Sequence, residues 1–209
     1  MTPFAVPNPY PFDALLCDFD GVIRFYDTSE VTRLERAAGL PDGTTGTIAF
    51  APERDGLFLL GKMDHAEWVR STEDALTEVT SAPRAKELAA AFGTAPFRTD
   101  PEILALLARV RQHVPLVLVT NATTDLEADL TRLGLDGFVD HVVSSARIGV
   151  AKPETRFYEI AAARVQVPYD RCLFVDDSEE NVKAATALGM TAVHYSELAD
   201  LQRALSPLQ

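Results

Sequence analysis

The chain predicts a doubly wound parallel α/β fold interrupted by a helical insertion, on three observations. Short apolar runs alternate with amphipathic helical patterns at both ends of the sequence. That rhythm of strand and helix lays down a parallel sheet. Two of the runs end in closely spaced aspartates, Asp18 with Asp20 and Asp176 with Asp177. Open parallel sheets gather their ligands at such carboxyl ends of strands. Between Arg24 and Arg98 the rhythm stops, no strand pattern is visible, and helical stretches replace it.

The elements follow in order. Ala14–Asp18 is the first strand. In the interval, helices are expected at Ser29–Ala38, Asp64–Val79 and Pro83–Phe92. Gly39 closes the first of them, and Asp64 with Glu67 reads as a capping box. Gly43–Gly46 and Ala51–Gly61 read as loops. Past the interval, Asp100-Pro101 offers an N-cap and a first-turn proline for a helix over Pro101–His113. A strand over Pro115–Thr120 leads to a helix over Asp125–Leu133, with Thr124 and Glu127 as its capping box and Gly134 at its end. Strand Val139–Ser144 precedes helix Pro153–Val165. Strand Cys172–Asp176 precedes helix Glu179–Leu188, which Ser178 caps and whose first two glutamates suit the dipole. Gly189 then leads into strand Thr191–Tyr195. The expected division is a core of residues 1–23 and 99–209 with a helical domain at 24–98.

Composition narrows the function. With 209 residues there is room for one well-filled core and a modest insertion. Hydrophobic content of 47% and charged content of 24% are those of a soluble globular protein. A net charge of −12 argues against nucleic acid or an anionic membrane as partner, since both need a basic face. An anionic substrate would need a local source of positive charge. Cys17 and Cys172 lie in apolar runs and read as buried free thiols in a reducing compartment. No Cys/His cluster has zinc-ligand spacing, and His65, His113, His141 and His194 are scattered. No apolar run approaches the roughly 20 residues of a membrane span. Met1–Pro11 is proline-rich and lacks a basic start, so an extended arm is expected rather than a signal peptide, in a cytoplasmic protein.

The aspartate pair carries the most chemistry. Asp18 and Asp20 would share a face of a continuing strand, and Gly21 breaks that strand just past them. Two close like charges need a cation or a shared proton, which implies a metal, an acid/base pair, or both. Thr120 and Asn121 end a second strand, Asp176 and Asp177 end a fourth, and Lys152 opens the helix after the third. Each feature alone is an ordinary turn or cap. Together they place carboxylates suited to Mg²⁺ beside a lysine, a hydroxyl and free N–H groups suited to a phosphoryl group.

In their order, Asp18-Phe19-Asp20-Gly21-Val22, Thr120, Lys152 and Asp176-Asp177 resemble the four motifs of the haloacid dehalogenase-like (HAD) hydrolase superfamily. The resemblance implies a Rossmann-like sheet with core strands ordered 5-4-1-2-3 and a helical cap inserted after the first motif. It implies Asp18 as nucleophile and Asp20 as general acid and base. Mg²⁺ would be held by Asp18, Asp176 and the backbone carbonyl of Asp20. Lys152 and Thr120 would hold phosphate oxygens, with backbone N–H groups near Phe19, Asp20 and Asn121. Asp177 and Asn181 would act one step back, Asp177 orienting Lys152 or a metal-bound water, and Arg24 is a further substrate contact or else a solvated loop arginine. Asp20 speaks for phosphate chemistry, because dehalogenases and phosphonatases of the superfamily usually lack an acid there. The function expected is a Mg²⁺-dependent phosphatase for a small phosphorylated metabolite, such as a sugar phosphate. A sugar phosphomutase and a non-catalytic binding protein are the alternatives. Arg54, Lys62, His65, Trp68 and Arg70 are weighed as cap contacts against helix surface or cap core, with Trp68 expected inside the bundle. No nucleic acid or membrane partner is expected, and the chain itself is expected as monomer or homodimer.

Overall fold

The computed structural model describes residues 8–206. In chain order the strands are β1 Ala14–Cys17, β2 Arg24–Tyr26, β3 Phe97–Thr99, β4 Leu116–Thr120, β5 His141–Ser144, β6 Cys172–Asp176 and β7 Thr191–His194. The helices are α1 Ser29–Ala37, α2 Thr44–Ala49, α3 Pro52–Leu59, α4 His65–Leu76, α5 Ala82–Gly93, α6 Pro101–Val110, α7 Leu126–Arg132, α8 Ser145–Ile148, α9 Thr155–Val165, α10 Glu179–Ala187 and α11 Leu198–Ala204. Of the arm expected over Met1–Pro11, residues 1–7 lie outside the described residues. Asn8–Pro11 has no regular structure, and Tyr10 is buried.

The chain divides into two compact units, Met1–Phe25 with Thr99–Gln209, and Tyr26–Arg98. The first is a five-stranded sheet in the order β5-β4-β1-β6-β7, with every neighbouring pair parallel. Counted over the five core strands, this is 5-4-1-2-3 read from the opposite edge. β1 lies at the centre because it is apolar on both faces, and all four of its residues are buried. Alternation divides its side chains. Leu15 and Cys17 pack with α6, α7 and α11 through Ile103, Leu107, Leu126 and Leu201. Ala14 and Leu16 pack on the other face with Phe157, Tyr158 and Ala161 of α9 and Ala185 of α10. Three layers result, with the strand ends Asp18, Thr120, Ser144 and Asp176 aligned along one edge.

The second unit is helical. Val31 and Leu34 of α1 pack with Leu76 of α4 and Ala85, Leu88 and Ala89 of α5. Beside them, the Phe58 and Trp68 rings stack 4.7 Å apart, and the indole N–H donates to the Ala49 carbonyl.

Several local expectations need correction. Gly43–Gly46 and Ala51–Gly61 are not loops but contain α2 and α3. Gly43 adopts φ 84° ahead of α2, and the N–H groups of Gly43 and Thr45 donate to the buried Glu35 carboxylate at 2.7 and 2.6 Å. The cap thus comes from the preceding helix, where no local pattern reveals it. In α3, Pro52 is the first helical residue, the position that best tolerates proline. The interval also contains strand, since β2 pairs with β3 at the two chain crossings. Three residues each are too few to show a period. The Thr124–Glu127 capping box does not form. α7 starts beyond Asp125 without a side-chain cap, and Glu127 is engaged by Arg147. Lys152 does not open a helix: α9 begins at Thr155, after a cis Lys152–Pro153 bond. The residue before a proline is disfavoured in the helical region. α8 and α11 carry no expectation from the sequence. The Asp64–Glu67 box is present with both its hydrogen bonds, and Asp100 and Ser178 cap α6 and α10.

Candidate active site

Lys152 is the hub of the sheet's carboxyl edge. Its ammonium lies 2.9 Å from Asp18 Oδ1 and 2.6 Å from Asp176 Oδ2, and donates to the Val119 carbonyl at 3.0 Å. These contacts engage all three of its donors. Its backbone is fixed by Asn121, whose side-chain oxygen accepts from Lys152 N–H and whose amide donates to Lys152 C=O, at 2.8 and 2.9 Å. The Asn121 side chain is therefore a clamp on the Lys152 backbone.

The carboxylates converge because β1 and β6 are parallel neighbours in register, with Cys17 opposite Val175. The residue after each of that pair is an aspartate. Asp18 Oδ1 also accepts from Phe19 N–H at 2.7 Å, so this N–H is already engaged. Asp176 Oδ1 accepts from Ser178 N–H and the Asn181 amide, both at 2.9 Å, and the Asn181 carbonyl accepts from the Tyr158 hydroxyl at 3.0 Å. Asn181 thus touches Asp176 directly.

Asp18, Asp176 and Asp177 each offer an oxygen within 4.8 Å of the others. Burial raises the Asp18 pKa, the neighbouring Asp176 charge raises it further, and Lys152 opposes both. Asp177 is raised by the same pair of causes, burial first and Asp176 second. Burial works against the Lys152 ammonium, but Asp18 and Asp176 outweigh it and hold its pKa above the ordinary lysine value. Crowded, oxygen-only and short of positive charge, the three carboxylates fit a hard divalent cation such as Mg²⁺.

Gly21 matters through space as well as conformation. Its φ is +77°, and a Cβ there would lie 2.0 Å from Asp177 Oδ2. Thr120, at the end of β4, is 1% exposed, and its hydroxyl has no partner among the described residues. An orphaned buried hydroxyl at a site edge is a ready donor for a ligand oxygen.

Asp20 stands apart from the carboxylate cluster. Its two oxygens face the Arg24 guanidinium, Nε to Oδ1 at 2.5 Å and Nη2 to Oδ2 at 2.8 Å. Arg24 is not a solvated loop residue. It begins β2, is 5% exposed, and also reaches Asp129 Oδ2 at 2.5 Å. Sequence reasoning missed Asp129, which sits on α7 without a local pattern. It also missed His194, whose Nε2–H donates to the Asp177 carbonyl at 2.8 Å. The in-register pairing of Asp176 with His194 across β6 and β7 is visible only once the strand order is known. In the helical unit, Trp68 is buried, His65 pairs with the Gly93 carbonyl and Arg54 donates to the Ile48 carbonyl. Lys62 and Arg70 are exposed.

A family model described as haloacid dehalogenase-like hydrolase matches residues 12–189, and the chain belongs to that family. A phosphoserine phosphatase of Thermus thermophilus is 34% identical over 130 residues, 59% of this chain and 52% of that protein. A sesquiterpene phosphatase of Aspergillus oryzae is 31% identical over 115 residues, 53% of this chain and 59% of that one. The chain thus spans about half the length of these curated relatives. A solved HAD family enzyme of Bacteroides thetaiotaomicron, in complex with magnesium and inorganic phosphate, matches with a TM-score of 0.68 at 17% identity. That match covers 91% of this chain and 98% of the other, and it speaks to the fold. No helix among the described residues is long and apolar enough to cross a membrane.

Proposed function

We propose that the chain is a Mg²⁺-dependent phosphomonoester hydrolase that works through an aspartyl-phosphate on Asp18. The carrying observation is the gathering of Asp18, Asp176 and Asp177 beside Lys152 at the carboxyl edge of the sheet. The orphaned Thr120 hydroxyl and the phosphatases among the relatives support it.

Mg²⁺ would be held by the Asp18, Asp176 and Asp177 carboxylates with the Asp20 backbone carbonyl, and when bound it supplies the positive charge that an anionic ester needs beside an anionic nucleophile. An Asp18 oxygen attacks phosphorus in line. Asp20 gives its proton to the ester oxygen as the P–O bond breaks, and the alcohol leaves. Asp20 then takes a proton from the water that attacks the aspartyl-phosphate. The bond from phosphorus to Asp18 breaks, phosphate departs and the Asp18 carboxylate is restored. The Thr120 hydroxyl donates to an oxygen that stays on phosphorus, and the Lys152 ammonium, its donors engaged, contributes positive charge beside it.

The inserted helical unit, Tyr26–Arg98, is proposed as a cap that restricts the enzyme to small soluble phosphorylated metabolites. Asp18→Asn should abolish phosphate release from an aryl phosphate. EDTA should stop the native protein, and added Mg²⁺ should restore it. Substantial phosphate release by the variant would overturn the nucleophile assignment. A phosphate-ester panel read by free phosphate separates hydrolysis from mutase chemistry and ranks the metabolites.

A further inference from the structure

Arg24 is a buried cation, and a buried cation must be paired. Arg24 meets Asp129 through Nη1. Its two-pronged edge, Nε and Nη2, goes instead to the two oxygens of Asp20 at 2.5 and 2.8 Å. A single donor leaves a carboxylate free to rotate about its last bond, whereas a two-point fork fixes its plane.

The fork itself is held from three further directions. Asp129 on α7 grips its far end, and the buried Phe19 ring lies 4.5 Å from the guanidinium carbon. The Arg24 backbone is tied into the same loop as Asp20. Its N–H donates to the Phe19 carbonyl at 2.7 Å and its carbonyl accepts from Gly21 N–H at 2.9 Å. Asp20 is 37% exposed on its side chain, and each oxygen keeps a second lone pair for a reacting group. All of these groups belong to the sheet unit.

We propose that Arg24 and Asp129 are positioning residues: the chain Asp129–Arg24–Asp20 sets the orientation from which Asp20 exchanges a proton with the leaving group and then with water. The role rests on the phosphatase reading above. Arg24 and Asp129 act through Asp20.

The test uses the leaving group. An alkyl alkoxide must be protonated to depart, whereas p-nitrophenolate leaves without a proton. Native protein, Arg24→Lys and Asp129→Asn are assayed with Mg²⁺ on a simple alkyl monophosphate and on p-nitrophenyl phosphate, in steady state and by rapid mixing. Lysine keeps the charge and loses the fork. Arg24→Lys should cut kcat on the alkyl ester by roughly 10²-fold, at the low end of what acid–base catalysis supplies, with KM near native. On p-nitrophenyl phosphate it should release a nitrophenolate burst stoichiometric with enzyme, followed by slow turnover while the aspartyl-phosphate waits for its base. Asp129→Asn, at a position 18% exposed, should show the same pattern more weakly and covers the case in which Arg24→Lys does not fold. Equal losses on both esters without a burst, or native turnover of the alkyl ester, would overturn the clasp alone. A native protein inactive on every ester would overturn the phosphatase reading and this role with it.

Discussion

Thr120 shows how a single side chain trades stability against binding. A buried hydroxyl without a partner keeps its desolvation cost and returns nothing to the fold. Thr120→Val should therefore melt at or above the native temperature. Its inhibition by inorganic phosphate should weaken roughly ten- to hundredfold, the range for losing one hydrogen bond to a charged group. Calorimetry and inhibition kinetics check the two halves separately. Individual residues were legible where their meaning is local. Asp18 and Asp20 declare themselves by spacing and by the glycine that follows. Arg24 did not, because its partner Asp129 is 105 positions away and nothing near either residue announces the other. Asn121 was legible as a strand-end residue, but its grip on Lys152 depends on a turn 31 positions on.

At the scale of elements, the decisive difference is where a helix finds its cap. Asp64 and Glu67 cap α4 from within their own segment, and the sequence shows it. α2 is capped from outside by Glu35, so its two glycines read as a loop. The two caps should differ in weight. Asp64→Ala should cost about 1 kcal/mol, the usual price of an exposed N-cap. Glu35→Ala should cost about 2 kcal/mol, since it strands the buried Thr45 N–H and removes the partner of the Gly43 N–H. The sole tryptophan, Trp68, lies in the helical unit. Its fluorescence in a urea titration therefore reads the unit in which both changes fall. β2 and β3 escaped notice for another reason. Their pairing joins distant three-residue segments, and no periodicity can be counted over three residues.

For the whole molecule, the parallel sheet was the most legible feature, because five apolar runs alternate with helical patterns, while the order of its strands came from the family resemblance. The thiols report on its integrity. Cys17 is raised far above an ordinary thiol, first by burial and then by Asp18. Cys172 is pushed up to about 11, chiefly by burial. Neither is exposed, so neither should react with a disulfide reagent at mildly alkaline pH while the protein is folded, and both should titrate in denaturant. A thiol that reacts in the native state would show that the central sheet opens.

The position of β1 has a consequence for biosynthesis. Of the sheet's five strands it is the first to leave the ribosome, yet it occupies the centre of the sheet, and both neighbours are encoded far downstream. At roughly 10 residues per second, β4 follows it by about ten seconds. Through that interval a wholly apolar strand has no partner on either edge, which makes the nascent chain a natural client for a chaperone that shields such segments. The two aspartates that face each other across β1 and β6 meet only after β6 has emerged, so a stalled chain lacks two of the three carboxylates in its acidic cluster.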